Sequence, residues 1–240
     1  MRPTIPFLFA RRVVAVGFVA VGMALAGGSA GAQGTNRFEG DIRAFEARDL
    51  REAPPERPVL FVGSSSFRMW RGLETAFPGF PVINRGFGGS QMSDVLHFFD
   101  RVVTRYRPAL IFVYEGDNDL AAGKTVDAVF EGWRQFVERV EAAMPGTAIR
   151  FVAVKPSPSR IRWLEAQRVL NERIREDCAE RPHLGYVDVF TPMLDDEGRP
   201  RGELFLDDDL HVNDAGYALW ASLIGPELEA WAEGRDGEGE

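Results

Sequence analysis

The sequence predicts an α/β protein, a three-layer α/β/α sandwich around a five-stranded parallel sheet, and two observations carry that reading. Short apolar runs, mostly β-branched or aromatic, recur at 59–62, 81–83, 110–114, 149–154 and, more weakly, 185–189, which suits buried strands. Longer stretches of helical character separate them at 90–106, 125–143 and 160–180, with a last one at 214–232. Strands alternating with helices favour parallel pairing with both faces covered, and crossovers of that kind are right-handed. Five strands in this order suit a flavodoxin-like arrangement, in which a ligand sits beyond the carboxyl ends of the strands. Residues that carry chemistry are therefore expected just after strands.

The chain has 240 residues, 45% hydrophobic and 27% charged, enough for one domain with a sizeable core. Its first 32 residues stand apart. Arg2, Arg11 and Arg12 precede an apolar run at 13–26, followed by small residues ending Ala30-Gly31-Ala32. That is the pattern of a secretory signal peptide, with cleavage expected after Ala32 and the mature protein periplasmic or secreted. The run is short of the roughly 20 apolar residues a spanning helix needs, so no stable membrane anchor is expected. Removing residues 1–32 takes away three arginines and no acid, deepening the net charge from −8 to −11. A protein this acidic is a poor partner for nucleic acid, which is bound largely through basic groups on phosphates.

Residues 33–57 read as an N-terminal extension with one amphipathic stretch at 38–51, broken by Pro54-Pro55. The domain proper is expected over 58–232, and the Gly- and acid-rich 233–240 reads as a disordered tail. Cys178 is the only cysteine, so an intrachain disulfide is excluded. It lies in a helical pattern without a histidine to activate it, which points to a buried structural thiol.

Four segments just after strands, or just before the last helix, carry candidate chemistry. Gly63-Ser64-Ser65-Ser66 follows the first strand, where a hydroxyl at a helix N-terminus meets a dipole that favours negative charge; a simple helix cap is the competing reading. Asn84-Arg85-Gly86-Phe87-Gly88-Gly89-Ser90 follows the second and can bring backbone N–H groups close to a substrate. Tyr114-Glu115-Gly116-Asp117-Asn118-Asp119 follows the third, with an Asn amide able to donate to an oxyanion, or an ordinary Asn/Asp turn. Finally, Asp208 and His211 are three apart, so on one helical-type turn both can face the same way. A carboxylate beside a histidine holds its Nδ1–H and stabilises the imidazolium. A metal site built from Asp207, Asp208, Asp209 and Asp214 competes. Of the three histidines, His97 falls in a helical pattern and His183 has no acid three residues before it, leaving His211 as the best base.

Together these segments resemble the SGNH (GDSL-like) hydrolases, named for Ser, Gly, Asn and His in four blocks that appear here in the same order, over residues 58–225. The resemblance implies the SGNH hydrolase fold, with Ser65 as nucleophile and Asp208 and His211 completing a catalytic triad. It also implies an oxyanion hole from the Ser65 and Gly89 N–H groups and the Asn118 amide. Ser64 stands where the family name has Asp, and Val212 follows the histidine where Pro is frequent. The decoy Gly27-Gly28-Ser29-Ala30-Gly31 fits a nucleophile elbow but lies in the signal peptide, with no strand before it.

The function expected is that of an exported serine esterase acting on a small or polar ester, acetyl, short-acyl or lysophospholipid-like, without metal or organic cofactor. Its partner is then a small-molecule or saccharide ester. Arg85, in the glycine loop, and Lys155, after the fourth strand, are candidate substrate contacts. An acyltransferase with the same triad and a non-catalytic carbohydrate- or lipid-binding domain are the alternatives. Oligomeric state is not legible.

Overall fold

The computed structural model describes Met1, Pro3, Thr4 and residues 36–236. The expected cleavage site and almost all of the expected signal peptide lie outside the described residues, as do 237–240. Every strand and helix described lies in the unit Asn36–Glu240, apart from Met1–Thr35.

Five strands, β1 (Val59–Gly63), β2 (Val82–Gly86), β3 (Leu110–Tyr114), β4 (Ala148–Val152) and β5 (Leu184–Val187), pair in parallel in the order β2-β1-β3-β4-β5. This is the predicted sheet. β1 and β3 are buried along their whole length, because a central parallel strand is covered on both faces. Side chains alternate between those faces with period two. Leu60, Val62, Ile111 and Val113 enter one core, and Val59, Phe61, Leu110 and Phe112 enter the other.

The helices are α1 (Glu39–Arg51), α2 (Ser65–Arg68), α3 (Leu73–Ala76), α4 (Met92–His97), α5 (Phe99–Val102), α6 (Asp117–Ala121), α7 (Val126–Ala143), α8 (Leu164–Ala179) and α9 (Asp214–Asp236). The first core is closed by α1, α4, α5, α7 and α8, through residues such as Ile42, Val95, Phe99, Trp133 and Ile174. The second is closed by α2, α3 and α9, through Phe67, Leu73 and Trp220.

Four boundaries differ from the sequence reading. The segment set apart as an extension contributes Phe38 and Ile42 to the first core, so α1 is part of the domain. The single helix expected at 90–106 is broken at Phe98 and again at Val103, and ends in a 3₁₀ turn. The breaks let Phe98, Phe99, Val102 and Val103 all reach the core, which neighbours 100° apart on one helix do poorly. The helix expected from 160 opens as a 3₁₀ segment, Pro158–Trp163, before α8 begins. The last helix continues to Asp236, so 233–236 are helical rather than tail.

Candidate active site

The sheet order places the carboxyl end of β1 between those of β2 and β3. The serine block emerges there. Gly63 has φ +144°, and a Cβ on it would lie 2.1 Å from the Tyr114 carbonyl oxygen. Only glycine permits this approach, and with it the Ser64 N–H donates across to the same carbonyl at 3.2 Å. Ser64 caps α2 with extended backbone, so Ser65 is the first helical residue. Ser64 and Ser66 are buried, whereas Ser65 is half-exposed. Its N–H, in the first turn, has no helical partner and points with the dipole at whatever binds there.

His211 comes from the other end of the chain. Phe205 and Val212 form an antiparallel bridge, and Leu206 N–H donates to the His211 carbonyl at 2.8 Å. Asp209 closes the turn with φ +56°, a conformation Asp tolerates better than most residues. The turn is therefore not helical, as the three-residue spacing suggested, but it does bring the two side chains together. His211 Nδ1 lies 2.5 Å from Asp208 Oδ2, and its Nε2 lies 3.1 Å from Ser65 Oγ. An ionised carboxylate only accepts, so Nδ1 carries the proton and Nε2 accepts from the Ser65 hydroxyl.

Asp208 is held firmly. Its Oδ1 accepts from Leu210 N–H at 3.0 Å and His211 N–H at 2.8 Å. Desolvation works against its charge, but hydrogen bonds from the His211 ring and from these two amides outweigh it, holding the carboxyl down to about 2. It is thus ionised throughout the neutral range. Ser159, through its N–H and its hydroxyl, donates to the Asp209 carbonyl at 3.0 and 2.9 Å, bracing the turn against the loop after β4.

The other two blocks meet across β1. Gly89 has φ +81°, and its N–H has no acceptor among the described residues. Asn118, in the first turn of α6, donates one Nδ2 hydrogen to the Ser90 carbonyl at 2.9 Å, and its Oδ1 lies 3.5 Å from Arg160 Nη2. This fixes which end of the amide is the donor and leaves its second hydrogen available.

Neither candidate substrate contact occupies that role. Arg85 is buried on the far face of β2, paired with Asp49 at 2.5 Å and donating to the Tyr106 hydroxyl at 2.7 Å. Alternation along the strand sends Asn84 to α2, where it donates to the Phe67 carbonyl, and Arg85 to α1. Lys155 is also buried, its Nζ 3.2 Å from Asp117 Oδ2. Burial opposes its charge, and Asp117 overcomes this and raises its pKa. Gln167 donates to the other Asp117 oxygen at 3.1 Å, so Lys155 pins α6 rather than a ligand.

Sequence reasoning missed the layer behind the Asn118 contact. Ser90 Oγ lies 2.5 Å from Glu115 Oε1, and both residues are buried. A lone acid closing an otherwise apolar strand was the available signal. Burial, then the nearby Asp119 charge, pushes the Glu115 carboxyl well above its usual value. Cys178 is buried in α8, and burial pushes its thiol up to about 12, which suits packing. His97 stacks edge-on against Phe98, and His183 neighbours Glu141 at the opposite edge of the sheet. Among the described residues no three His, Cys, Asp or Glu side chains converge as a metal site, and no helix is long and apolar enough to cross a membrane. A groove of about 520 Å3 is lined by Trp70, Leu206, Val212 and Tyr217, but by none of Ser65, Asp208 or His211.

No curated protein matches the chain. Among solved structures it is similar to a GDSL-like lipase from Bacteroides thetaiotaomicron, with 24% identity and TM-score 0.68 over 79% of this chain and 97% of that one. It is similar in fold to a carbohydrate esterase family 3 protein from Talaromyces cellulolyticus, with 17% identity and TM-score 0.59 over 73% and 98% of the two chains. A third is an acetyl-xylooligosaccharide esterase from Geobacillus Stearmophilus, with 16% identity and TM-score 0.59 over 72% and 94%. The GDSL-like lipase/acylhydrolase family matches residues 31–219, a span that holds all four blocks, and the chain belongs to that family.

Proposed function

We propose that this chain is an exported serine esterase that cleaves small or polar carboxylic esters through an acyl-enzyme. The observation that carries the reading is the unbroken relay Ser65 Oγ, His211 Nε2, His211 Nδ1, Asp208 Oδ2, with spacings of 3.1 and 2.5 Å. A half-exposed serine at a helix N-terminus, in contact with an oriented imidazole, is an activated nucleophile.

His211 takes the Ser65 proton as Oγ attacks the ester carbonyl. The carbonyl oxygen becomes an oxyanion held by the Ser65 and Gly89 N–H groups and the free Asn118 hydrogen. His211⁺, stabilised by Asp208, then protonates the departing alcohol. Water attacks the acyl-enzyme by the same route and releases the acid and the free serine. Each step uses groups of the chain itself. The acetyl-xylooligosaccharide esterase among its structural neighbours favours a short acyl group. Export rests on residues 1–32, whose basic, apolar and small-residue order is that of a cleaved signal peptide ending at Ala32.

Labelling of the mature protein with a fluorophosphonate, compared with Ser65→Ala, tests the reading. Labelling present in the wild type and lost in the variant is expected. A folded wild type that stays unlabelled and cleaves no aryl acetate would overturn it.

A further inference from the structure

Arginine is distributed unevenly between partners in this acidic chain. Most described arginines face carboxylates: Arg101 holds Glu39 and Glu46, Arg181 holds Glu141 and Asp177, and Arg199 holds Asp195 and Glu197. Others, such as Arg51, Arg57 and Arg107, face none, and three of this kind gather at the edge that carries Ser65. Arg37, Arg68 and Arg160 have no carboxylate within ion-pair distance among the described residues, although the chain carries a net charge of −8.

Each of the three adjoins a part of the proposed oxyanion hole. Arg37 Nη2 donates to the Gly89 carbonyl at 2.7 Å. Arg68, three residues after Ser65, runs along the glycine loop, so a Cβ on Gly88 would lie 2.9 Å from its Nη1. Arg160 Nη2 reaches Asn118 Oδ1 at 3.5 Å. Arg37 and Arg68 are exposed and Arg160 is half-buried, so their guanidinium donors are only partly used. The acids of the histidine turn, Asp207 and Asp209, are exposed and pair with none of them.

Unpaired like charges held close together are unfavourable unless something neutralises them. A planar guanidinium suits a carboxylate, sulfate or phosphate through paired hydrogen bonds. A basic rim on an otherwise acidic surface also draws anions to one place. We propose that the natural ester bears an anionic oxygen group, bound by Arg37, Arg68 and Arg160 beside the oxyanion hole. This rests on Ser65 being the esterase nucleophile, and it narrows the substrate class that the reading leaves open.

The test uses two pairs of esters in which an anionic carboxylate is replaced by a neutral group, an amide or a methyl: 4-acetoxybenzoate against 4-acetoxybenzamide, and mono-4-nitrophenyl adipate against 4-nitrophenyl hexanoate. For at least one pair, kcat/KM should favour the anion about tenfold or more in dilute buffer, an advantage that shrinks in concentrated salt. Arg37→Gln, Arg68→Gln and Arg160→Gln should each lower that ratio, chiefly by raising KM for the anion. Arg51→Gln, at the end of α1, should leave the ratio unchanged. Ser65-dependent cleavage with no preference for the anion in either pair would overturn the proposal and leave the esterase reading standing. Folded protein that cleaves none of the four and stays unlabelled by the fluorophosphonate would remove both.

Discussion

Asn118, as the proposed oxyanion donor, shows how one side chain is held ready for a charge that does not yet exist. Its amide is oriented at both ends, by the Ser90 carbonyl and by Arg160, so its free hydrogen needs little reorganisation when an oxyanion forms. Asn118→Ala should fold with an unchanged melting temperature and lose on the order of 10²–10³ in kcat, measured on an aryl acetate. An unchanged kcat in the folded variant would remove Asn118 from the mechanism. Behind it, Glu115 gives a stability that depends on pH. Its folded pKa is raised by burial and by Asp119, so the folded state binds the proton more tightly than the unfolded chain. That stability is present in full below about pH 4, the unfolded value, and is lost as pH rises toward the folded one. Glu115→Gln stays neutral and keeps an acceptor for Ser90 Oγ. Melting temperatures of the two proteins should therefore diverge in favour of Gln as pH rises above about 4, the unfolded value; parallel curves would mean that Glu115 is not held protonated. At this scale the Asp208–His211 contact was legible, because the two residues are close in sequence and their side chains do meet, whereas the resemblance was needed to propose Ser65 among three serines. Arg85 and Lys155 misled for one physical reason. Lying near the end of a strand does not say which face a side chain takes, and both turn into the interior against acids.

At the level of elements, the central strands were legible because a parallel strand buried on both faces is apolar throughout, as Leu110–Tyr114 is. The four-residue helices α2 and α3 were not, since four residues span barely one turn and show no period. The site nevertheless depends on such short pieces. α6 has five residues and carries Asn118, and its first turn is anchored by Asp117 between Lys155 and Gln167. Removing one member of a buried pair leaves an uncompensated charge, at a cost of about 3–5 kcal/mol. Lys155→Met should lose about that much in urea unfolding, and Lys155→Met with Asp117→Asn should recover part of it, because the stranded carboxylate is gone. A single variant as stable as the wild type would mean that the pair does not anchor α6.

Across the whole molecule, the proposed triad joins segments that are 146 residues apart, and the second core connects them. α2, which begins at Ser65, and α9, which follows the His211 turn, meet where Trp70, two residues after α2, stacks on Tyr217 at 5.0 Å and the Tyr217 hydroxyl donates to the Ser66 carbonyl at 2.9 Å. Trp220 lies at the centre of this contact. It is fully buried, its ring is 5.4 Å from Tyr114, 6.2 Å from Trp70 and 6.3 Å from Phe67, and its Nε1 donates to Met193 Sδ at 3.2 Å. Truncating a buried Trp to Ala costs about 3–5 kcal/mol, or about 6–20 °C in melting temperature for a domain of this size. Trp220→Ala should fall by that amount. Because the same core holds the proposed nucleophile against its proposed base, activity and structure should fail together. Heated in steps, wild type and variant should each lose esterase activity at the temperature where circular dichroism reports unfolding. Activity lost well below that temperature would show that the Ser65 and His211 segments separate before the domain unfolds, and that this core does not keep the triad closed.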